Sequence, residues 1–182
     1  MDRRIRKSKN ALKKAMFQLM QKKAVSQISI RELCELADVN RSTFYSNYGN
    51  TIDLIKDIHQ DFFEHMFYKN YVSNDNNIEV AVFKSNLILD MITYVENNKQ
   101  EVTILFTNNE NNMLEQNLLS FFMDLQQIHS LDYNKSYPFI YHTMAFFTLL
   151  HAWVKDGYPC SAQKLSQIII DNSYPLESIL KN

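Results

Sequence analysis

Between Asp38 and Asn50 the chain reads DVNRSTFYSNYGN, and its side chains are suited to gripping a polyanion. Asn40 is a good N-cap residue, so a helix begun there would present donors from Arg41, Ser42 and Thr43 at its exposed first turn. Such an end suits a nucleic-acid groove. Phe44 would then point into a core, while Tyr45 and Tyr48, three apart, would share another face with their hydroxyls available to phosphate oxygens. The plainer alternative, strongest for Tyr48, is that these rings pack the small domain.

A helix of this kind needs others to hold it. Ser29-Ile30-Arg31-Glu32 is a capping-box pattern, with Ser29 set to accept from the Glu32 amide and Glu32 set to reach back. Ile30, Leu33, Cys34 and Ala37 follow at i, i+3, i+4 and i+7, which makes one buried face and gives Cys34 a core role rather than a reactive one. Asp38 tolerates the left-handed conformation that a sharp turn needs, so the stretch reads helix, turn, helix. A first helix is predicted over Arg3 to Lys23, with Ile5, Leu12, Ala15, Met16, Leu19 and Met20 on one side and Arg3, Arg4, Arg6, Lys7, Lys9, Lys13 and Lys14 crowding its opening turns. Cations there oppose the helix dipole, at roughly 0.3 to 1 kcal/mol each, and a phosphate partner would explain them.

The formal net charge of -1 hides a division. Residues 1–50 hold 11 Lys and Arg against 4 Asp and Glu, a net of +7, and the remainder holds 8 against 16, a net of -8. A basic head on an acidic body is the balance expected when one end meets a polyanion and the rest does not.

The basic first helix, the capped second helix ending Leu36-Ala37-Asp38-Val39, and the run Asn40-Arg41-Ser42-Thr43-Phe44-Tyr45-Ser46-Asn47-Tyr48 together resemble the N-terminal domain of TetR/AcrR-family transcriptional regulators over about the first 55 residues. Asp38 stands where that family usually has Gly, and Asn40 where it commonly has Ser. Thr51 stands where it commonly places a phosphate-gripping Lys. The resemblance implies that Arg41, Ser42 and Thr43 approach bases or nearby phosphates, and that Tyr45, Asn47 and Tyr48 fix the backbone register. Arg41 is the choice for reading a base, since a guanidinium matches guanine O6 and N7. Arg3, Arg6, Lys7, Asn40 and Thr51 complete the expected DNA-binding set.

With only two Gly and three Pro the rest should be helical as well. Asn50 would cap a fourth helix from Thr51 to about Asn70, followed by a polar loop at Ser73 to Asn77. A fifth is expected over Val80 to Val95, a short sixth over Val102 to Phe106, and a seventh over Leu114 to Ile128, with the Asn108 to Asn112 run between the last two. From Pro138 to Lys155 apolar residues surround nearly the whole helix, which calls for cover on every side, either within one chain or partly from a second subunit. Ser161 would cap a last helix. The family resemblance implies that these last two helices form a four-helix dimer interface, here Phe139, Phe146, Phe147, Leu150, Trp153, Leu165, Ile168 and Ile169. It also implies an effector pocket, for which Phe62, Met66, Phe83, Met91, Phe106 and Phe121 are the lining candidates.

The expectation is thus an all-α chain of about nine helices: a three-helix helix-turn-helix DNA-binding domain over 1–50 and a helical regulatory and dimerisation domain over 51–182. No phosphate-cradling Gly loop is present, and His59, His65, His129, His142 and His151 lack metal-site spacing, so no cofactor, metal or enzymatic activity is expected. Cys34 and Cys160 give no disulfide framework, and no apolar run is long enough to cross a bilayer, so a cytoplasmic protein without membrane contact is expected. The function implied is a homodimeric regulator on palindromic double-stranded DNA, a repressor released by an effector. Control by a protein partner, or a helical ligand-binding protein that has lost DNA binding, are the alternatives.

Overall fold

The computed structural model describes residues 3–68, 85–129 and 133–172. Over these the chain is all-α, without strands, in nine α-helices: α1 (Arg3–Met20), α2 (Ile30–Ala37), α3 (Arg41–Tyr45), α4 (Thr51–Phe63), α5 (Ser85–Asn97), α6 (Lys99–Thr107), α7 (Met113–His129), α8 (Tyr133–Lys155) and α9 (Ala162–Asn172). Short 3-10 turns stand at Val25–Gln27 and Glu110–Asn112, and a π-type turn, Glu64–Tyr68, follows α4. The loop expected at Ser73 to Asn77 lies outside the described residues.

Two compact units result, one made of Met1–Phe62 with Ile104–Leu118, the other of Phe63–Thr103 with Leu119–Asn182. The first unit runs on past residue 50 to Phe62, near the end of α4. The first unit also takes in a segment from far along the chain, which no local pattern announces.

In the first unit, Leu12, Met16, Leu33, Phe44 and Leu54 are fully enclosed and form the core on which α1 to α4 close. The caps act largely as their residue types dictate. Ser29 Oγ accepts from the Glu32 amide at 3.2 Å, Asn40 Oδ1 from the Ser42 amide at 3.0 Å, and Asn50 Oδ1 from the Asp53 amide at 3.0 Å. Glu32 departs from the capping box: its carboxylate pairs with Lys23 on the link ahead of α2. Asp38 takes the left-handed conformation at φ 52° and ends α2. Gly49 donates its N–H to Asp53 Oδ2 at 3.0 Å, so close that a Cβ on residue 49 would stand 2.9 Å from that oxygen. His59 is 3% exposed, with Asn117 donating to its Nδ1 at 2.8 Å, and burial pushes the imidazole down to about 4 against the opposing charge of Glu115.

The second unit is built around aromatic contacts. Phe63 meets Phe121 at 5.7 Å and Phe147 at 6.3 Å between ring centroids, and Phe67 meets Phe121 at 6.1 Å. Trp153 donates from Nε1 to the Cys160 carbonyl at 2.9 Å, which ties the end of α8 to the approach to α9. Gly157, at φ 77°, and Tyr158, at φ 62°, reverse the chain there; the Tyr158 hydroxyl donates to the Lys99 carbonyl at 3.2 Å and lies 2.9 Å from Thr103 Oγ1. Thr143, on α8, has a buried hydroxyl with no hydrogen-bond partner among the described residues. No described helix is long and apolar enough to cross a membrane.

Candidate nucleic-acid interface

Helix α3 is short, five residues, and its orientation is set by one apolar anchor and one cap. Phe44 is fully buried, and Asn40 accepts from both the Ser42 amide and the Ser42 hydroxyl at 3.0 Å. With those fixed, Arg41, Ser42 and Tyr45 are exposed and Thr43 is half-buried. Tyr45 is 59% exposed, an unusual cost for a large ring, and meets Phe44 edge-to-face at 5.6 Å. Arg41 stands at the mouth of a surface groove of about 500 Å³ with Arg31, Cys34, Glu35, Asp38, Val39 and Asn40. Burial pushes the Cys34 thiol up, against the charge of Arg41, which keeps it protonated and inert in the core.

Three members of the expected set also make hydrogen bonds within the chain. Asn47 donates from Nδ2 to the Thr43 carbonyl at 2.7 Å and closes the end of α3. Asn40 spends its side-chain oxygen on the cap. Tyr48 is a correction: it is 5% exposed, and its hydroxyl donates to Asp57 Oδ2 at 2.6 Å rather than lying open to phosphate. Burial, followed by the hydrogen bond to Asp57, pushes that hydroxyl well above its ordinary range. The ring packs on Phe44 at 5.7 Å, as the plainer alternative had it.

Asp57 is the centre of a network that the sequence reading missed. Lys9 Nζ and Lys13 Nζ each lie 3.0 Å from Asp57 Oδ2, and Lys13 also reaches Asp61 at 2.6 Å. Lys9 sits over the Tyr48 ring, 5.2 Å from its centroid. The signal was present in the spacing: two lysines at i, i+4 on α1 face two aspartates at i, i+4 on α4, a complementary ladder between helices. These two lysines are therefore drawn inward. Arg3, Arg6 and Lys7, in the first turns of α1, are exposed, and Thr51 opens α4 half-buried.

The residues suggested for a pocket are distributed over both units. Phe62 and Phe106 pack edge-to-face at 6.2 Å in the first unit, Met66, Met91 and Phe121 are buried in the second, and Phe83 lies outside the described residues. The suggested dimer face is also corrected. Phe146, Phe147, Leu150, Trp153, Leu165 and Ile169 are buried within the chain itself, Ile168 alone of that set is exposed, and the Phe139 side chain is outside the description. What α8 leaves open is a different face, bearing Tyr137, Tyr141, Ala145, Leu149 and Ala152. Among the described residues no three metal-ligating side chains cluster.

No protein-family model matches the chain, and no curated sequence does. Its structure is similar to that of a TetR transcriptional regulator from Streptococcus agalactiae 2603V, with a TM-score of 0.64 and 22% identity over 93% of this chain and 95% of that one. It is also similar to the dihydroxyacetone kinase operon activator DhaS, with a TM-score of 0.55 and 22% identity over 96% and 94% of the two chains. These likenesses establish the TetR-type fold that the first 55 residues resemble in sequence.

Proposed function

We propose that this chain is a TetR-family transcriptional regulator, a cytoplasmic, non-enzymatic homodimer that binds a palindromic DNA site and is released from it by an effector. The observation that carries the reading is the open face of α3, with Arg41, Ser42 and Tyr45 exposed, in the same compact unit as the cationic first turns of α1. Arg41 reads a base, and Arg3, Arg6 and Lys7 grip phosphates. The fold supports the reading, because both similar structures bear regulator names.

A second copy is the natural occupant of the open face of α8. Tyr141 is 67% exposed and Leu149 45%, on the helix that buries Phe146, Phe147, Leu150 and Trp153 in its own chain, with Ile168 exposed on α9. Two heads paired in this way would enter major grooves about 34 to 36 Å apart, or a little more. We take the effector to bind in the second unit, where the Thr143 hydroxyl, without a partner among the described residues, lies one helical turn from Phe147 and its aromatic neighbours. Repression is the simplest outcome of a dimer occupying its site. Activation is the second reading, favoured by the likeness to the operon activator DhaS.

Selection of bound duplexes from a random pool, followed by fluorescence anisotropy at several salt concentrations, tests the DNA reading. Binding should weaken steeply with salt, and Arg41→Ala should lose about 1 to 3 kcal/mol and relax preference at one base position. Failure to bind any duplex, or binding indifferent to salt, would sink the reading. A reporter behind the selected site then separates repression from activation.

A further inference from the structure

Asn108 lies just past α6, in an Asn-rich run that the sequence marks only as a break. Its side-chain amide is spent entirely on distant backbone: Nδ2 donates to the Met20 carbonyl at 2.8 Å and the Lys23 carbonyl at 3.1 Å, and the Val25 N–H donates to Oδ1 at 3.1 Å. Glu110 adds Oε1, which accepts from the Ser26 N–H at 3.3 Å and the Ser26 hydroxyl at 3.1 Å. All of these residues belong to the first unit.

Met20 closes α1, and residues 23–26 lead from α1 to α2. Carbonyls at a helix end need partners, but water supplies them readily at a surface. One rigid amide that takes two such carbonyls and the Val25 N–H at once does something water cannot, which is to fix their positions relative to residues more than eighty places away in sequence. The middle of α1 is pinned separately, by Lys9 and Lys13 on Asp57 and Asp61. A helix rises about 1.5 Å per residue, so Met20 lies about 10 Å beyond Lys13 on one side and Arg3 about 15 Å on the other. A tilt of about 10° around that middle would move the Arg3 end by about 2 to 3 Å, comparable to the whole length of a hydrogen bond to phosphate.

We propose that Asn108 and Glu110 are positioning residues for DNA binding, forming a clasp that holds the tail of α1 and thereby sets where its cationic end meets the phosphates. The inference rests on the DNA-binding reading above. It adds that the corner after α6 controls the phosphate grip of α1, while α3 keeps its own base contacts through the Phe44 anchor and the Asn40 cap. Anything that shifts the corner would change affinity before it changed sequence preference.

The test uses the full chain and a duplex recovered by selection, titrated by anisotropy across a sodium chloride series. Asn108→Ala should make the slope of log K against log salt shallower by about 2 or more, with the preference for the selected over a shuffled duplex retained. Glu110→Ala should move the slope in the same direction, and Glu110→Gln, which keeps the accepting oxygen, should restore the wild-type value. A purely stabilising role would lower the melting temperature and leave the slope of the folded protein unchanged, and that result overturns the proposal. Where Asn108→Ala does not fold, Asn108→Asp, which keeps the acceptor for Val25 and loses both donors, carries the same measurement. A wild type that binds no duplex overturns the DNA reading itself, whereas a wild type that binds with variants of equal slope overturns the clasp alone.

Discussion

Asp57→Asn probes how the basic head is held together. One carboxylate oxygen accepts from Tyr48 at 2.6 Å and from Lys9 at 3.0 Å, with Lys13 also 3.0 Å away. Asn keeps an acceptor for Tyr48 but removes the charge that both lysines face. Hydrogen bonds to charged groups contribute about 1.5 to 3 kcal/mol each. The Asp57 side chain is 25% exposed, so each lysine contact is discounted for solvent screening. A total loss of about 2 kcal/mol is expected, or about 1 M in the urea midpoint at an m-value near 2 kcal/mol/M. The pH dependence supplies a stricter check. Burial alone would raise the Asp57 carboxyl, but the hydrogen bonds from Tyr48, Lys13 and Lys9 outweigh it and hold the group below its ordinary value. A depressed carboxyl stabilises the fold above its unfolded value, near 3.9, and that stability is lost as pH falls through the lower folded value. Wild type and variant should therefore differ fully at pH 7 and converge below about pH 4. Far-UV circular dichroism is the readout, because the single tryptophan, Trp153, lies in the second unit. A difference that stays constant from neutral pH into the acid range would show that the charge of Asp57 is not what holds the network.

His59 predicts a second acid-sensitive limb. Its imidazole is held near 4 by burial, so as pH falls from about 6.5 to 4 the unfolded chain takes a proton that the folded chain refuses, and up to about 3 kcal/mol of stability is lost. His59→Gln should flatten that limb in the same unfolding series, and an unchanged limb would place its origin elsewhere. Leu149→Asp, on the open face of α8, should convert dimer to monomer in sedimentation velocity while leaving the helical signal intact; Leu150→Asp, at a fully buried position, should instead unfold the chain. Equal damage from both would remove the distinction between the two faces of α8.

The local parts of this fold were readable in the sequence because their causes are local. Ser29, Asn40 and Asn50 cap the helices that their side chains predict, Asp38 takes the left-handed turn, and Phe44 is buried by the same periodicity that exposes Arg41 and Tyr45. What failed required knowing which helices face one another. Tyr48 looks like a phosphate ligand until Asp57, nine residues on, takes its hydroxyl. The apolar surround of α8 marks the helix as covered but not which arc its own chain covers, and Phe146, Phe147, Leu150 and Trp153, expected against a partner, are buried within the chain itself. Asn108 carries no periodic or charge signal at all, since its meaning lies in carbonyls more than eighty residues away.

The charge of the head is where sequence and structure diverge with a measurable consequence. Counted by position, residues 1–50 hold 11 cations and suggest a very steep salt dependence. The first unit as folded holds 12 Lys and Arg against 9 Asp and Glu, and Lys9, Lys13 and Lys23 are already turned toward Asp57, Asp61 and Glu32. Phosphate contacts then fall mainly to Arg3, Arg6 and Lys7, about six per dimer. At roughly 0.9 per neutralised phosphate, the slope of log K against log salt should lie near -5. A slope steeper than about -10 would require contacts beyond these three residues, either from exposed Arg4, Lys14 and Arg41 or from the inward lysines leaving their aspartates. Asp57→Asn separates the cases: if the lysines stay inward in the wild type, freeing them should steepen the slope by about 1 for each lysine that reaches a phosphate in each subunit. If they already leave on binding, the slope should not change, and the network would be a store of cations for DNA rather than a brace for the head.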